Sequence, residues 1–340
     1  MCMTEKLRKT RVVWGFFMVR IYFILSVLLS GCAIIGNEHS ADYQKQTQLI
    51  LVPGMSMQPE FLKKMALQML PQFADNVSLA RTPSGFYVDL GQNYCIHDFT
   101  ESVAVIMDND LAGQAVVFAC SQGSASAINS IVKNKNETIK ALIIEGILTS
   151  GNHAIIRNFE KKMHGVSQIP LSSYVLPYVA KILYPFYSPA GDQALLNIEK
   201  LPKDLLVIML HCKNDPKVSF DEARAFYAGL RKNGNPVYFI SKDSPEGHQH
   251  DGLFYSDDNE YSKEVATINC ILKQHGLPYA ENTPDVDLEE YQPEPDFDVY
   301  EALVEKEKKV QWFDIGIKSV IGLGVIAYAV YAIIRNKHRS

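Results

Sequence analysis

At 340 residues and 47% hydrophobic content, the chain has material for one large domain or two small ones, which excludes a disordered or collagen-like polymer. The formal net charge of −5 is unevenly spread: positive residues gather at the two ends, and over 281–307 the chain is strongly acidic with Lys306 as its lone lysine. With no basic stripe in the central part, nucleic acid is not an expected partner.

The leading segment reads as a membrane signal. An apolar run over 12–35 follows Lys6, Arg8, Lys9 and Arg11, the pattern of a signal peptide or signal anchor over 1–36, although Arg20 interrupts it. Leu29-Ser30-Gly31-Cys32 resembles the lipobox of bacterial lipoproteins, so Cys32 is a candidate for lipidation, with an uncleaved anchor as the alternative. After a polar connector over 37–47, short apolar runs alternate with helical patterns. "LILV" (49–52), "AVVFA" (115–119), "ALII" (141–144), "DLLVIML" (204–210) and "PVYFI" (236–240) are expected to be strands buried on both faces of a parallel sheet. Asp98 with Glu101 and Ser219 with Glu222 have capping-box spacing, and a last helix around 259–275 stops at Gly276 with Pro278 beyond. The alternation predicts an α/β fold with a doubly wound, mostly parallel sheet.

Residues 150–197 fall between two of these strands and are rich in apolar side chains, including Leu171, Tyr174, Val175 and Leu176, which could line an acyl pocket, meet a bilayer or pack on the domain. From 278 to 311 Pro, Asp, Glu and Tyr predominate, and an extended acidic linker is expected. Residues 315–334 then supply about the twenty apolar residues a membrane-spanning helix needs. The basic tail over 335–340 follows, and the positive-inside tendency places it in the cytoplasm with the central domain on the opposite, extracytoplasmic side. Of the six cysteines, Cys2 and Cys32 lie in the leading segment. Cys95, Cys120, Cys212 and Cys270 are dispersed with no metal-ligand spacing, so buried thiols and no metal site are expected.

The chemistry centres on "FACSQGSAS" (118–126), in which Ser121 follows an apolar strand, precedes a helical pattern and has small residues, Ala119 and Gly123, two positions to either side. A serine nucleophile on a sharp strand-to-helix turn needs small neighbours there, because strand and helix approach closely. "LVPGMS" at the end of the first strand places the Met55 amide where, with the amide of Gln122, it would form an oxyanion hole. Downstream, "HCKNDPKV" carries Asp215 after one strand, and "PEGHQHDG" carries His248 and His250 after the next.

In that order and at those strand ends, Ser121, Asp215 and a histidine make the chain resemble the α/β-hydrolase superfamily of serine hydrolases, in its esterase, lipase and prolyl-oligopeptidase-like branches. The resemblance spans about 48–277 and implies a helical lid insertion over about 150–197. It implies that Ser121 attacks an acyl carbonyl, that Asp215 orients the base, and that His248, preceded by Gly247, is that base, with His250 as the alternative. It implies no cofactor. The expected function is a membrane-tethered hydrolase of carboxylic esters or thioesters of acyl or lipid-like substrates. A serine peptidase and an inactive domain displayed for binding are the rivals; oligomeric state is left open.

Overall fold

The computed structural model describes residues 47–54, 57–80, 113–135, 137–162, 175–176, 193–243, 250, 263–313, 315–316 and 319. All belong to the compact unit Lys45–Ser340; the unit Met1–Gln44 lies outside the described residues. The expected leader with Cys32, the basic tail and nearly all of the apolar stretch over 315–334 lie outside them too. Among the described residues no helix is long and apolar enough to cross a membrane.

The apolar runs form one sheet. In chain order the elements are β1 (Gln48–Val52), α1 (Pro59–Met69), β2 (Val77–Leu79), β3 (Ala115–Cys120), α2 (Gln122–Asn134), β4 (Ile139–Glu145), α3 (Gly151–Lys162), β5 (Leu206–Cys212), α4 (Phe220–Asn233), β6 (Val237–Lys242) and α5 (Lys263–Gln274). A further helix, α6, spans 297–313. Strand order is β2-β1-β3-β4-β5-β6, and every neighbouring pair is parallel. Five of the six are the strands expected from their apolar runs. The sixth, β2, has only three residues with a serine at its centre, too short and too polar to stand out. It pairs in register with β1, helped by the Leu49 N–H donating to the Asn76 carbonyl at 2.9 Å.

Continuous apolar strands follow from helices on both faces. Ile50, Val52, Val117, Leu142 and Val207 join residues of α2, α4 and α6 in one core, whereas Leu49, Leu51, Val116, Ile143 and Ile208 join α1 and α5 in the other. Alternate residues of each strand therefore enter opposite cores, and each fully buried aliphatic side chain contributes about 1.5–3 kcal/mol. Because the chain leaves β1 toward β2 on one side and returns to β3 on the other, the strand order reverses at the β1/β3 pair. A crevice at the carboxyl ends of those two strands is the expected place for a site in an open α/β sheet.

The stretch over 278–311 is not a solvated linker. Leu288 and Tyr291 pack into the core beneath α5, the Tyr227 hydroxyl donates to the Pro293 carbonyl at 2.9 Å, and α6 presents Tyr300 and Val304 to the other core. Buried Asn269 ties the returning strap down, accepting from the Ala280 N–H at 2.9 Å and donating to the Met69 carbonyl at 2.9 Å. The sequence pattern concealed α6 because a glutamate, Glu307, occupies a position on its inward face and breaks the apolar period. Glu307 is fully buried, yet its carboxylate is satisfied by the Ser150 hydroxyl at 2.6 Å and by the Asn152 side-chain amide.

Candidate active site

Ser121 is the residue on which β3 turns into α2. Its φ of 49° and ψ of −120° lie in a region a side chain seldom adopts, a strain of order 1–3 kcal/mol. The surroundings hold it there. The Ser121 N–H donates to the Glu145 carbonyl at 2.8 Å, and its own carbonyl accepts from the Ser124 N–H at 3.1 Å and from the Ser124 hydroxyl. Steric fit explains the small neighbours: a Cβ at Gly123 would lie 2.4 Å from the carbonyl oxygens of both Val52 and Pro53, so α2 crosses the end of β1 only because that position has none. Gly54 likewise runs against the elbow, since a Cβ there would meet Ser121 Cβ at 3.0 Å. Ala119, two residues before the serine, is wholly buried.

Three of the expected groups meet at this crevice. His250 Nε2 lies 2.8 Å from Ser121 Oγ, and His250 Nδ1 lies 2.7 Å from Asp215 Oδ2. With Nδ1–H donating to the carboxylate, Nε2 is left with its lone pair toward the hydroxyl, the tautomer a general base requires. The first-choice histidine, His248, lies outside the described residues. Both ring nitrogens of His250 are engaged, one by each partner, so the alternative of the two histidines takes the position. Spacing in "GHQH" does not decide between rings two residues apart, because the choice is made by a loop conformation.

Gly146, which the sequence reading passed over, makes room for that ring. It follows β4 directly with φ +59°, and a Cβ on it would sit 3.2 Å from the His250 carbonyl oxygen and 3.5 Å from the ring atoms Cε1 and Nδ1. The sequence signal was a lone glycine directly after a buried strand.

Asp215 stands in the turn after β5. Its Oδ1 accepts from the Lys217 N–H at 2.6 Å and the Val218 N–H at 3.0 Å, leaving Oδ2 for His250. Burial pushes its carboxyl up, but the hydrogen bond and charge of His250 together with these two amides outweigh it and hold the group below the usual carboxylate range. Nearby His211, fully buried at the end of β5, is pushed down to about 4 chiefly by burial, so it stays neutral and leaves the Asp215 charge to His250.

Of the oxyanion candidates, Gln122 opens α2, where the first N–H groups of a helix have no partner within it. Met55 lies outside the described residues, as does Cys32. Among the described residues no group of acidic, histidine and cysteine side chains has the makings of a metal site.

Strand order reversing at β1/β3, a strained serine elbow after β3, an acid after β5 and a histidine after β6 are together decisive. The fold is that of an α/β-hydrolase. No family model and no curated protein matches the chain in sequence. Among solved structures it is similar to an esterase of Pyrococcus furiosus at 17% identity, over 68% of this chain and 82% of that one, with a TM-score of 0.46. It is also similar to a thermostable carboxyl esterase of Bacillus coagulans at 14% identity, over 68% and 91%, with a TM-score of 0.42. A third is an acylaminoacyl peptidase of Pyrococcus horikoshii at 12% identity and a TM-score of 0.45; there 74% of this chain matches 40% of the peptidase's length.

Proposed function

We propose that the protein is a serine hydrolase that cleaves carboxylic esters or thioesters through an acyl-enzyme, with Ser121 as nucleophile, His250 as base and Asp215 as orienting acid. One observation carries the reading: a single imidazole lies within hydrogen-bond distance of both a strained serine hydroxyl and a buried carboxylate. Ser121 Oγ attacks the acyl carbonyl carbon as its proton passes to His250 Nε2, and the imidazolium so formed is stabilised by Asp215. The amides of Gln122 and Met55 receive the negative oxygen of the tetrahedral intermediate. Collapse expels the alkoxide or thiolate, which takes the proton from His250. Water, deprotonated by the same ring, then releases the acid and restores Ser121.

Membrane tethering through 1–36 and 315–334, with the catalytic domain extracytoplasmic, belongs to the same proposal and rests on the sequence pattern. A membrane site and the apolar residues over 171–186 favour an acyl or lipid-like substrate. The test is a fluorophosphonate probe on the full chain in detergent, alongside hydrolysis of p-nitrophenyl esters of increasing chain length. Wild type is expected to label at one site and to turn over the esters, with Ser121→Ala doing neither. Equal labelling of the two proteins, or labelling of neither, overturns the proposal.

A further inference from the structure

The triad's acid sits on an exposed turn, and its two amide bonds come from that same turn. They set Asp215 relative to Lys217 and Val218 but do not set the turn relative to the sheet that carries Ser121. The start of the turn is tied to β6 by the Lys213 N–H, which donates to the Lys242 carbonyl at 2.9 Å, so what has to be fixed from outside is its far side, at Lys217 and Val218.

The described residues contain such a contact. Arg157, on α3, donates from Nη1 to the carbonyl of Lys217 at 3.0 Å. That carbonyl belongs to the same peptide unit as the Val218 N–H, which donates to Asp215 Oδ1 at 3.0 Å. One planar amide is thus gripped at both ends, the guanidinium at its oxygen and the triad carboxylate at its hydrogen. A donor on the carbonyl polarises the amide and strengthens the bond its N–H makes. The planarity of the unit means that fixing one end also fixes the direction of the other.

Arg157 is itself held from two further elements. Its Nη2 pairs with Glu222 Oε1 in the first turn of α4, and Glu222 Oε2 accepts from the Thr149 hydroxyl, just beyond β4, at 3.1 Å. Glu222 is 7% exposed. The capping box expected of Ser219 and Glu222 is only half made: the Ser219 hydroxyl accepts from the Asp221 N–H at 3.2 Å, while Glu222 turns away to Arg157 and Thr149. A residue well placed to cap its own helix is used to hold the arginine instead.

We propose that Arg157 is a positioning residue for the triad: held by Glu222, it clamps the Lys217–Val218 peptide and thereby aims Asp215 at His250. This rests on the serine-hydrolase reading. It gives the segment between β4 and β5 a part in catalysis, because α3 supplies the clamp. Only an arginine serves both partners at once, since its fork has donors for a carboxylate and a carbonyl together, whereas a lysine ammonium is a single point.

The test is a double-mutant cycle in the full chain, read as kcat and KM for p-nitrophenyl butyrate. Arg157→Met keeps the apolar stem and removes the donors; it is expected to lower kcat about 10-fold to 100-fold with KM within twofold, the scale of a misplacement near 1 Å. Arg157→Lys is expected to recover part of that loss. In an Asp215→Asn background, where the acid's role is already lost, Arg157→Met is expected to cost less than twofold, because residues acting as one unit are not additive. The same fold-loss in both backgrounds, or kcat within twofold of wild type in Arg157→Met, overturns the inference and leaves the serine-hydrolase reading standing. If Arg157→Met does not fold, Arg157→Lys decides by the same cycle: a loss confined to the background with Asp215 intact supports the inference, and wild-type kcat sinks it. A wild-type chain that neither turns over the ester nor takes the fluorophosphonate removes the hydrolase reading itself, and the inference with it.

Discussion

Replacing Glu307 by glutamine should change how stability depends on pH, and the direction can be worked from its surroundings. Burial pushes this carboxyl from 4.5 to about 7, against the opposing hydrogen bonds of Ser150 and Asn152. A group whose folded pKa is raised binds more protons in the fold than in the unfolded chain. Its stabilising contribution is complete below 4.5 and is lost as pH rises through about 7. At 1.36 kcal/mol per pKa unit the loss is about 3 kcal/mol, or about 6–12 °C in Tm for a domain of this size. His153, 3.6 Å from Glu307, has the opposite sign: burial lowers it to about 3, so its contribution is present above 6.5 and is lost as pH falls. Between 4.5 and 6.5 the two slopes oppose each other in wild type, and Glu307→Gln leaves the histidine alone. Thermal unfolding of the full chain in mild detergent, followed by circular dichroism at pH 5 and pH 8, reads the difference. Since about a quarter of the loss has already occurred at pH 5, the Tm of Glu307→Gln minus that of wild type should be larger at pH 8 than at pH 5 by about 5–10 °C. A difference equal at the two pH values refutes the burial argument.

Two substitutions test the packing around the elbow and under α6. Gly123→Ala places a methyl 2.4 Å from two backbone oxygens that cannot swing aside, so the elbow must shift; fluorophosphonate labelling should fall at least about 100-fold, and a wild-type rate would show that the crossing is looser than described. Gly229→Ala puts a Cβ 2.6 Å from the Tyr300 ring and 2.8 Å from Ile198 Cδ1. It should lower stability by about 1–3 kcal/mol through overpacking, seen as a lower Tm with kcat preserved in the protein that remains folded.

How far the sequence anticipated this molecule depended on how local each signal was. Runs such as "AVVFA" announced buried strands because both faces of the sheet are covered, and Ser121 announced itself through the size of Ala119 and Gly123. β2 escaped because a three-residue edge strand carries no period. α6 escaped because Glu307 stands where an apolar residue would have completed the pattern, and its buried partners, Ser150 and Asn152, lie about 155 residues earlier in the chain. The histidine was beyond any spacing argument. His248 and His250 share a loop, and only the backbone path past Gly146 decides which ring reaches both Asp215 and Ser121. Arg157 was equally silent, and Glu222 was legible only as a capping-box partner of Ser219, since their joint role lies in the Lys217–Val218 peptide unit, which neither residue contains.

The proposed hydrolase depends on His250, between Ser121 and Asp215, as the base that activates the serine. Fluorophosphonate labelling rates of wild type, His248→Asn and His250→Asn in the full chain test it most directly. His250→Asn is expected to lose at least about 1000-fold in labelling rate, as removal of a triad member does, while His248→Asn stays within a few-fold of wild type. Rapid labelling of His250→Asn, with the loss falling on His248→Asn, would contradict it.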